Sequence, residues 1–200
     1  SITGSPDAPA KAGCSIADIA AGMYAYTNIL AALIERGRSG RGRRIDVSML
    51  ESMVEWMGYP LYYAYDGAPP PPRAGAAHAT IYPYGPFPTG DGASVMLGLQ
   101  NEREWQVFCD QVLQRPGLAA DPRFASNAAR SAARDELRAL IVDTLSGLSA
   151  AQLMRRLDEA GIANAQVNEL AQVWAHPQLA ARARWVEVDT NGGQTRTPEF

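Results

Sequence analysis

Four prolines in a row, Pro69 to Pro72, set the first limit on how this chain can fold. Each fixes its own φ and lacks an N–H, and each pushes its predecessor out of the helical region. Neither a helix nor a central strand can pass through them. Asp66 and Gly67 precede the row, and Arg73, Gly75 and several alanines follow it. The stretch 66–77 therefore reads as a linker that is stiff at first and then flexible. It separates a first block, 1–65, from a second, 78–189, and residues 190–200 lead away from the second.

One apolar helix, opening at Ser15, organises the first block. Ile16, Ile19, Met23, Tyr26, Leu30 and Leu33 follow one another in steps of three and four, a spacing that predicts a single buried face. Asp18 is off that stripe and shares its face with Gly22, Ala25 and Ile29. Two readings of Asp18 stand side by side. Ser15 three residues ahead makes a capping-box-like start, and an acid suits the positive end of a helix. An ionised carboxylate above small residues can also attack an electrophile. The helix is expected to run to Arg36 and close at Gly37, with a cationic last turn. Arg44 to Ser48 reads as a short strand. Ser48 or Glu51 then opens a second helix, whose Met49, Met53, Trp56 and Met57 suit a core or a dimer interface, and which ends near Pro60 or Tyr65.

The second block reads as mixed α+β. Tyr82 to Phe87, a Gly90-Asp-Gly92 turn and Ser94 to Leu97 predict strand, hairpin and strand. Asn101, with Glu104 three residues on, suits an N-cap. Behind it Trp105, Phe108, Cys109 and Val112 step at helical spacing as core. Helices are expected at 127–130, 134–145 and 149–160, the last capped by Ser149 and stopped by Gly161. A brief extended piece at Ala165 to Val167 and a strand at Trp185 to Asp189 complete it.

Composition excludes several classes of function. A net charge of −3 lacks the concentrated basic surface that nucleic-acid binding needs. Asp18 and other polar residues interrupt the apolar helix, so no membrane span is read there. No secretory pattern opens the chain. Cys14 and Cys109 are too few for a disulfide framework or a zinc site. The expected compartment is the cytoplasm, with neither nucleic acid nor membrane as partner.

Many short motifs in one order make the chain resemble a known family. They are Ser15-Ile-Ala-Asp18-Ile-Ala-Ala-Gly22-Met, Ile29 to Leu33, Gly40-Arg-Gly42 and Asp46 to Leu50. Then come Tyr84-Gly-Pro-Phe87, Gly90-Asp-Gly92, Gly98-Leu-Gln-Asn101, Trp105, Asp121-Pro-Arg-Phe124, Asn127, Gly161-Ile-Ala and His176-Pro-Gln-Leu179. Together these resemble the class III CoA-transferase, or CaiB/BaiF, family over nearly the whole chain.

That resemblance implies the C-terminal part of a two-domain α/β fold: a long helix from the large domain, then a small α+β domain. It implies a nucleotide-fold section upstream that carries most of the CoA-binding groups, and a return crossing after 190, so the chain is expected to be a fragment. It also implies an interlocked homodimer. Asp18 takes the place of the family's nucleophile, which attacks the thioester of an acyl-CoA and becomes an aspartyl-CoA thioester. CoA enters as a thioester substrate, a small carboxylic or dicarboxylic acid is its co-substrate, and neither a permanent cofactor nor a metal is called for.

The family's glycine-rich loop, which closes over the active site, falls at Gly75 and Ala76, the candidate lid and oxyanion site. Alanines around Gly75 resemble a branch acting on dicarboxylic acyl groups (succinyl-CoA with mesaconate, itaconate or malate) rather than the oxalate and formyl branch. His78, Tyr82 and Tyr84 are then candidate donors to a distal carboxylate, and Arg41 and Arg43 candidate contacts for CoA phosphates. A structural histidine and a solvated basic turn are the plainer readings of these. Two alternatives stay open: an α-methylacyl-CoA racemase using Asp18 as acid/base, and a catalytically silent folding or dimerisation module.

Overall fold

The computed structural model describes residues 2–199. They form two compact units that divide between Ile81 and Tyr82, four residues beyond the division expected at 77/78.

The first unit holds helices α1 (Ile16–Ser39), α2 (Met49–Met57) and α3 (Tyr59–Tyr63). The α1 helix runs three residues past its expected end. Gly37 stays helical, and Gly40, at φ 71°, supplies the left-handed residue that stops it, its N–H returning to the Arg36 carbonyl. Ser15 precedes the helix without a side-chain cap, so the expected capping box is absent. Ser48 does cap α2, its Oγ accepting the Glu51 N–H at 3.3 Å. The strand expected over 44–48 does not form: the segment has no ladder partner, and Arg44 pairs with Asp46 instead.

The predicted apolar face of α1 is mostly uncovered. Met23 is 57% and Tyr26 65% exposed, Ile19, Leu30 and Leu33 are also exposed, and Ala20 alone is buried. The helical period was read correctly, but within this unit the main packing on α1 comes from the short helix α2. By length and apolarity α1 would also suffice to cross a membrane, a test that core helices of soluble proteins pass as well.

The second unit is built on a three-stranded antiparallel sheet of β1 (Tyr84–Pro88), β2 (Ser94–Gly98) and β3 (Asn164–Gln166), in that order. Around it lie α4 (Glu102–Val107), α5 (Asn127–Ala132), α6 (Arg134–Leu145) and α7 (Ala150–Glu159). Short helices α8 (Leu170–Trp174) and α9 (Pro177–Ala181) precede a ribbon of β4 (Trp185–Thr190) and β5 (Gly193–Pro198). The partner strand β5 was not foreseen. Thr190 pairs with Gly193 across Asn191-Gly192, and an Asn-Gly pair is a strong signal for a two-residue hairpin.

Alternation on β1 and β2 turns Phe87, Val95 and Leu97 into one core with Trp105, Phe108 and Cys109, and with Leu137, Ile141, Leu153 and Leu157 from the helices. Ser149 and Gln152 form a full capping box at α7. The hairpin turn is tied to the same helix end: Asp91 accepts the Thr89 hydroxyl at 2.6 Å and, through its other oxygen, the Ala150 N–H at 3.1 Å. These two bonds hold its pKa below the usual carboxylate range.

Arg130, 2% exposed, is a buried charge engaged at all three of its guanidinium nitrogens. Its Nε donates to the Tyr82 carbonyl at 2.9 Å and its Nη1 to the Phe124 carbonyl at 3.1 Å. Both terminal nitrogens also donate to Glu102, at 2.7 and 3.2 Å, and the guanidinium lies 5.0 Å from the Trp105 ring centre. Replacing Arg130 with Ala strands two carbonyls and is expected to cost about 3 kcal/mol, read from urea unfolding of the full chain. Glu102 is half exposed, so E102Q is expected to cost only about 1 kcal/mol. The Arg130 hydrogen bonds hold the Glu102 pKa below its ordinary value. Its contribution is therefore complete above the unfolded pKa of about 4.3, and the gap between wild type and E102Q closes as pH falls through the folded value.

Candidate functional site

Asp18 lies in the first turn of α1, exposed, at the end where backbone N–H groups lack helical partners. Among the described residues no side-chain hydrogen bond or ion pair engages it. Gly22, one turn on, has nothing within 4 Å of where a Cβ would stand. Carboxylate, positive helix end and open space thus coincide.

Gly75 sits in a turn closed by the Ala77 N–H on the Ala74 carbonyl at 3.0 Å, with φ 62°. Its own N–H donates to the Gly4 carbonyl at 2.9 Å. Gly75, first read with Ala76 as lid and oxyanion site, thus supplies a positive φ, and its N–H is engaged within this chain. The exposed Ala76 N–H, the other backbone donor of that reading, has no hydrogen-bond partner among the described residues.

The His78 Nδ1 accepts the Thr80 N–H at 3.2 Å and the Ile81 N–H at 3.1 Å. That pattern assigns the ring proton to Nε2, which lies 3.4 Å from the Tyr59 hydroxyl. The two rings stack at 5.8 Å. His78 is thus a turn-forming residue whose remaining N–H reaches Tyr59, a residue that sequence reasoning did not single out.

Tyr82 and Tyr84 belong to the second unit. Tyr82 is 3% exposed, 6.4 Å from Phe87 between ring centres, with the Arg134 guanidinium 4.7 Å from its own. Burial raises the pKa of its hydroxyl, against the lowering by Arg138 and Arg134. Its backbone is held on both sides, the N–H by Asn127 Oδ1 at 3.0 Å and the carbonyl by Arg130. Tyr82 is a core residue here rather than an open donor, because its ring completes the apolar layer over β1. The Tyr84 ring covers Gly98 across the hairpin, where a Cβ would come within 3.1 Å. Tyr84 also borders a cavity of about 170 Å³ lined by Gln100 and Asn164.

Of the basic turn, Arg43 pairs with Glu35 at 3.0 Å, both exposed, a pair that contributes little to stability. Arg41 is exposed, and its backbone N–H bonds the Ser39 hydroxyl. Cys109, fully buried, has its thiol pushed up to about 12 by burial and by the neighbouring Asp110.

The whole length, residues 1–200, matches the model of CoA-transferase family III, and the chain belongs to that family. A succinate–glutarate CoA-transferase of Agrobacterium fabrum is 34% identical over 204 residues, covering 99% of this chain and 50% of that protein. An acetyl-CoA:oxalate CoA-transferase of Acetobacter aceti is 32% identical over 182 residues, covering 90% and 46%. The crystal structure of a CaiB/BaiF family protein from Brucella suis superposes with a TM-score of 0.77 at 33% identity, over 100% of this chain and 52% of that one. The chain spans about half the length of the curated relatives it matches.

In native protein a thiol reagent is expected to label exposed Cys14 and to spare Cys109 until unfolding, counted by mass spectrometry. Equal labelling of both would contradict the burial described.

Proposed function

We propose that the protein containing this chain transfers CoA from an acyl-CoA, succinyl-CoA being the expected donor, to a small dicarboxylic acid through Asp18. The carrying observation is Asp18 itself: an unpaired, exposed carboxylate in the first turn of α1, beside the open space over Gly22. Its carboxylate attacks the thioester carbonyl and forms a mixed anhydride as CoA thiolate leaves. The thiolate then attacks the aspartyl carbonyl, which frees the first acid and leaves an aspartyl-CoA thioester. The acceptor acid runs both steps in reverse. An anhydride demands exclusion of water and donors for the tetrahedral oxyanion, and the Ala76 N–H is the donor proposed from this chain.

Relatives named for succinate, glutarate and oxalate support a dicarboxylic acid as substrate class. Because an oxalate enzyme is about as similar as the first, the alanines around Gly75 do not by themselves select a branch. The exposed apolar residues of α1 to α3 support the reading that unit 1 is covered by further protein, the interlocked homodimer implied by the resemblance.

Mass spectrometry of the full-length protein, after incubation with succinyl-CoA and hydroxylamine trapping, tests the nucleophile. A hydroxamate confined to Asp18 is expected, and D18A should lower kcat by at least about a thousandfold. An unmodified Asp18 in protein that exchanges the α-proton of a branched acyl-CoA would make it a racemase instead.

A further inference from the structure

The motif His176-Pro-Gln-Leu179, to which the chemistry at Asp18 gives no role, borders two cavities in the second unit. The first, of about 470 Å³, has the size of a small-molecule site, which spans about 300–1,000 Å³. Its polar lining is Gln166, Asn168, Gln172 and His176, and Met154 adds an apolar patch. Among the described residues no arginine, lysine, aspartate or glutamate lines it. The Gln172 Oε1 accepts the Glu169 N–H at 2.7 Å, which leaves its amide nitrogen as a donor. The His176 Nδ1 accepts the Gln178 N–H at 3.3 Å, which assigns the ring proton to Nε2. The side-chain amides of Gln166 and Asn168 have no hydrogen-bond partner among the described residues, so each keeps donor and acceptor.

The second cavity, of about 420 Å³, is lined by Gln178, Leu179, Arg182 and Arg184. Consecutive residues, Pro177 and Gln178, line the one and the other. Two arginines without a carboxylate suit an anion, and a guanidinium fork matches phosphate oxygens two at a time. Arg184 is held in place by its backbone, whose N–H donates to the Leu179 carbonyl at 3.0 Å and whose carbonyl accepts the Glu199 N–H at 2.9 Å. Its Nη1 donates to the Glu199 carbonyl at 3.2 Å, which leaves Nε and Nη2 for a ligand. Between the two arginines Ala183 takes φ 48°, a left-handed conformation that a residue with a Cβ seldom adopts. Backbone strain of this kind gathers at ligand clamps. Trp174 stacks on Trp185 with ring centres 4.5 Å apart, which ties α8 to β4.

Each cavity selects one part of a ligand. Asparagine and glutamine amides pair two-pronged with the edge of adenine, whereas guanine is read by arginine or lysine, which the first cavity lacks. The second cavity offers the partners of a phosphate. We propose that the two cavities bordering α9 form one site for an adenine nucleotide, its base among Gln166, Asn168 and Gln172 and its phosphates on Arg182 and Arg184. A free nucleotide and the nucleotide end of CoA share this chemistry. The site stands whether or not Asp18 is the nucleophile.

The test is calorimetric titration of the full-length protein with ADP, GDP and inorganic phosphate. ADP is expected to bind more tightly than either of the others. R182A should weaken ADP binding about tenfold, R182K should recover part of the loss, and N168A should weaken it about fivefold. Arg182 and Asn168 are exposed and make no side-chain hydrogen bond among the described residues, so both variants are expected to fold. ADP binding that survives in saturating CoA makes a free nucleotide the occupant. Displacement by CoA, with a raised KM for acyl-CoA in R182A, makes it the nucleotide end of CoA. An ADP affinity unchanged in both R182A and N168A overturns the site, wherever else on the protein ADP binds. GDP or phosphate binding as tightly as ADP overturns the assignment of the base.

Discussion

The guanidinium of Arg130 is the interaction on which the second unit depends. One side chain from α5 joins the carbonyl that enters β1, the carbonyl that ends the 121–124 turn and the carboxylate that opens α4. A charge this deep is stable only when each donor has an acceptor, since desolvation costs several kcal/mol for a bare ion. Glu102 remains partly hydrated, so the pair is not sealed on both sides, and its second contact, to the Asn127 N–H at 3.1 Å, fixes the start of α5 itself. Asn127 in turn holds Tyr82. The polar network thus sets the entry angle of β1, and the apolar core then packs against a strand whose position is already defined.

The first unit depends on no comparable centre. Its long helix has the composition of an interior element and the exposure of a surface one. Its order comes from local devices instead: a left-handed glycine at 40, a serine cap on α2, and a bonded loop near the start. That contrast explains why Asp18 stands so open. A carboxylate at a helix start costs little when it can remain hydrated.

Much of the second unit was legible in the sequence. Alternation marked β1 and β2, Asn101 and Ser149 marked helix starts, Gly161 marked a stop, and the stepping of Trp105, Phe108 and Cys109 marked core. These are local rules that need no knowledge of the partner surface. What escaped was non-local. No periodicity distinguishes Arg130 from a surface arginine four residues from Arg134, and nothing near Arg73 announces that its acceptors lie 67 and 68 residues away. The α1 stripe is exposed within this chain, as expected of a fragment, because a period says which face is apolar, never what covers it. Tyr82 was read for its hydroxyl, and its burial rests on a ring that packs into a core assembled from distant segments. Asp18 drew its functional reading from the order of motifs around it, since its local setting suits a plain helix start equally well.

The carboxylate of Asp91 spans the hairpin turn and the first amide of α7, 59 residues apart. That amide is shielded only while the hairpin is docked. Its hydrogen exchange with solvent therefore follows separation of sheet and helix, whereas amides inside α7 follow the melting of the helix alone. One backbone proton at Ala150 reports whether the two halves of the core part together or in sequence.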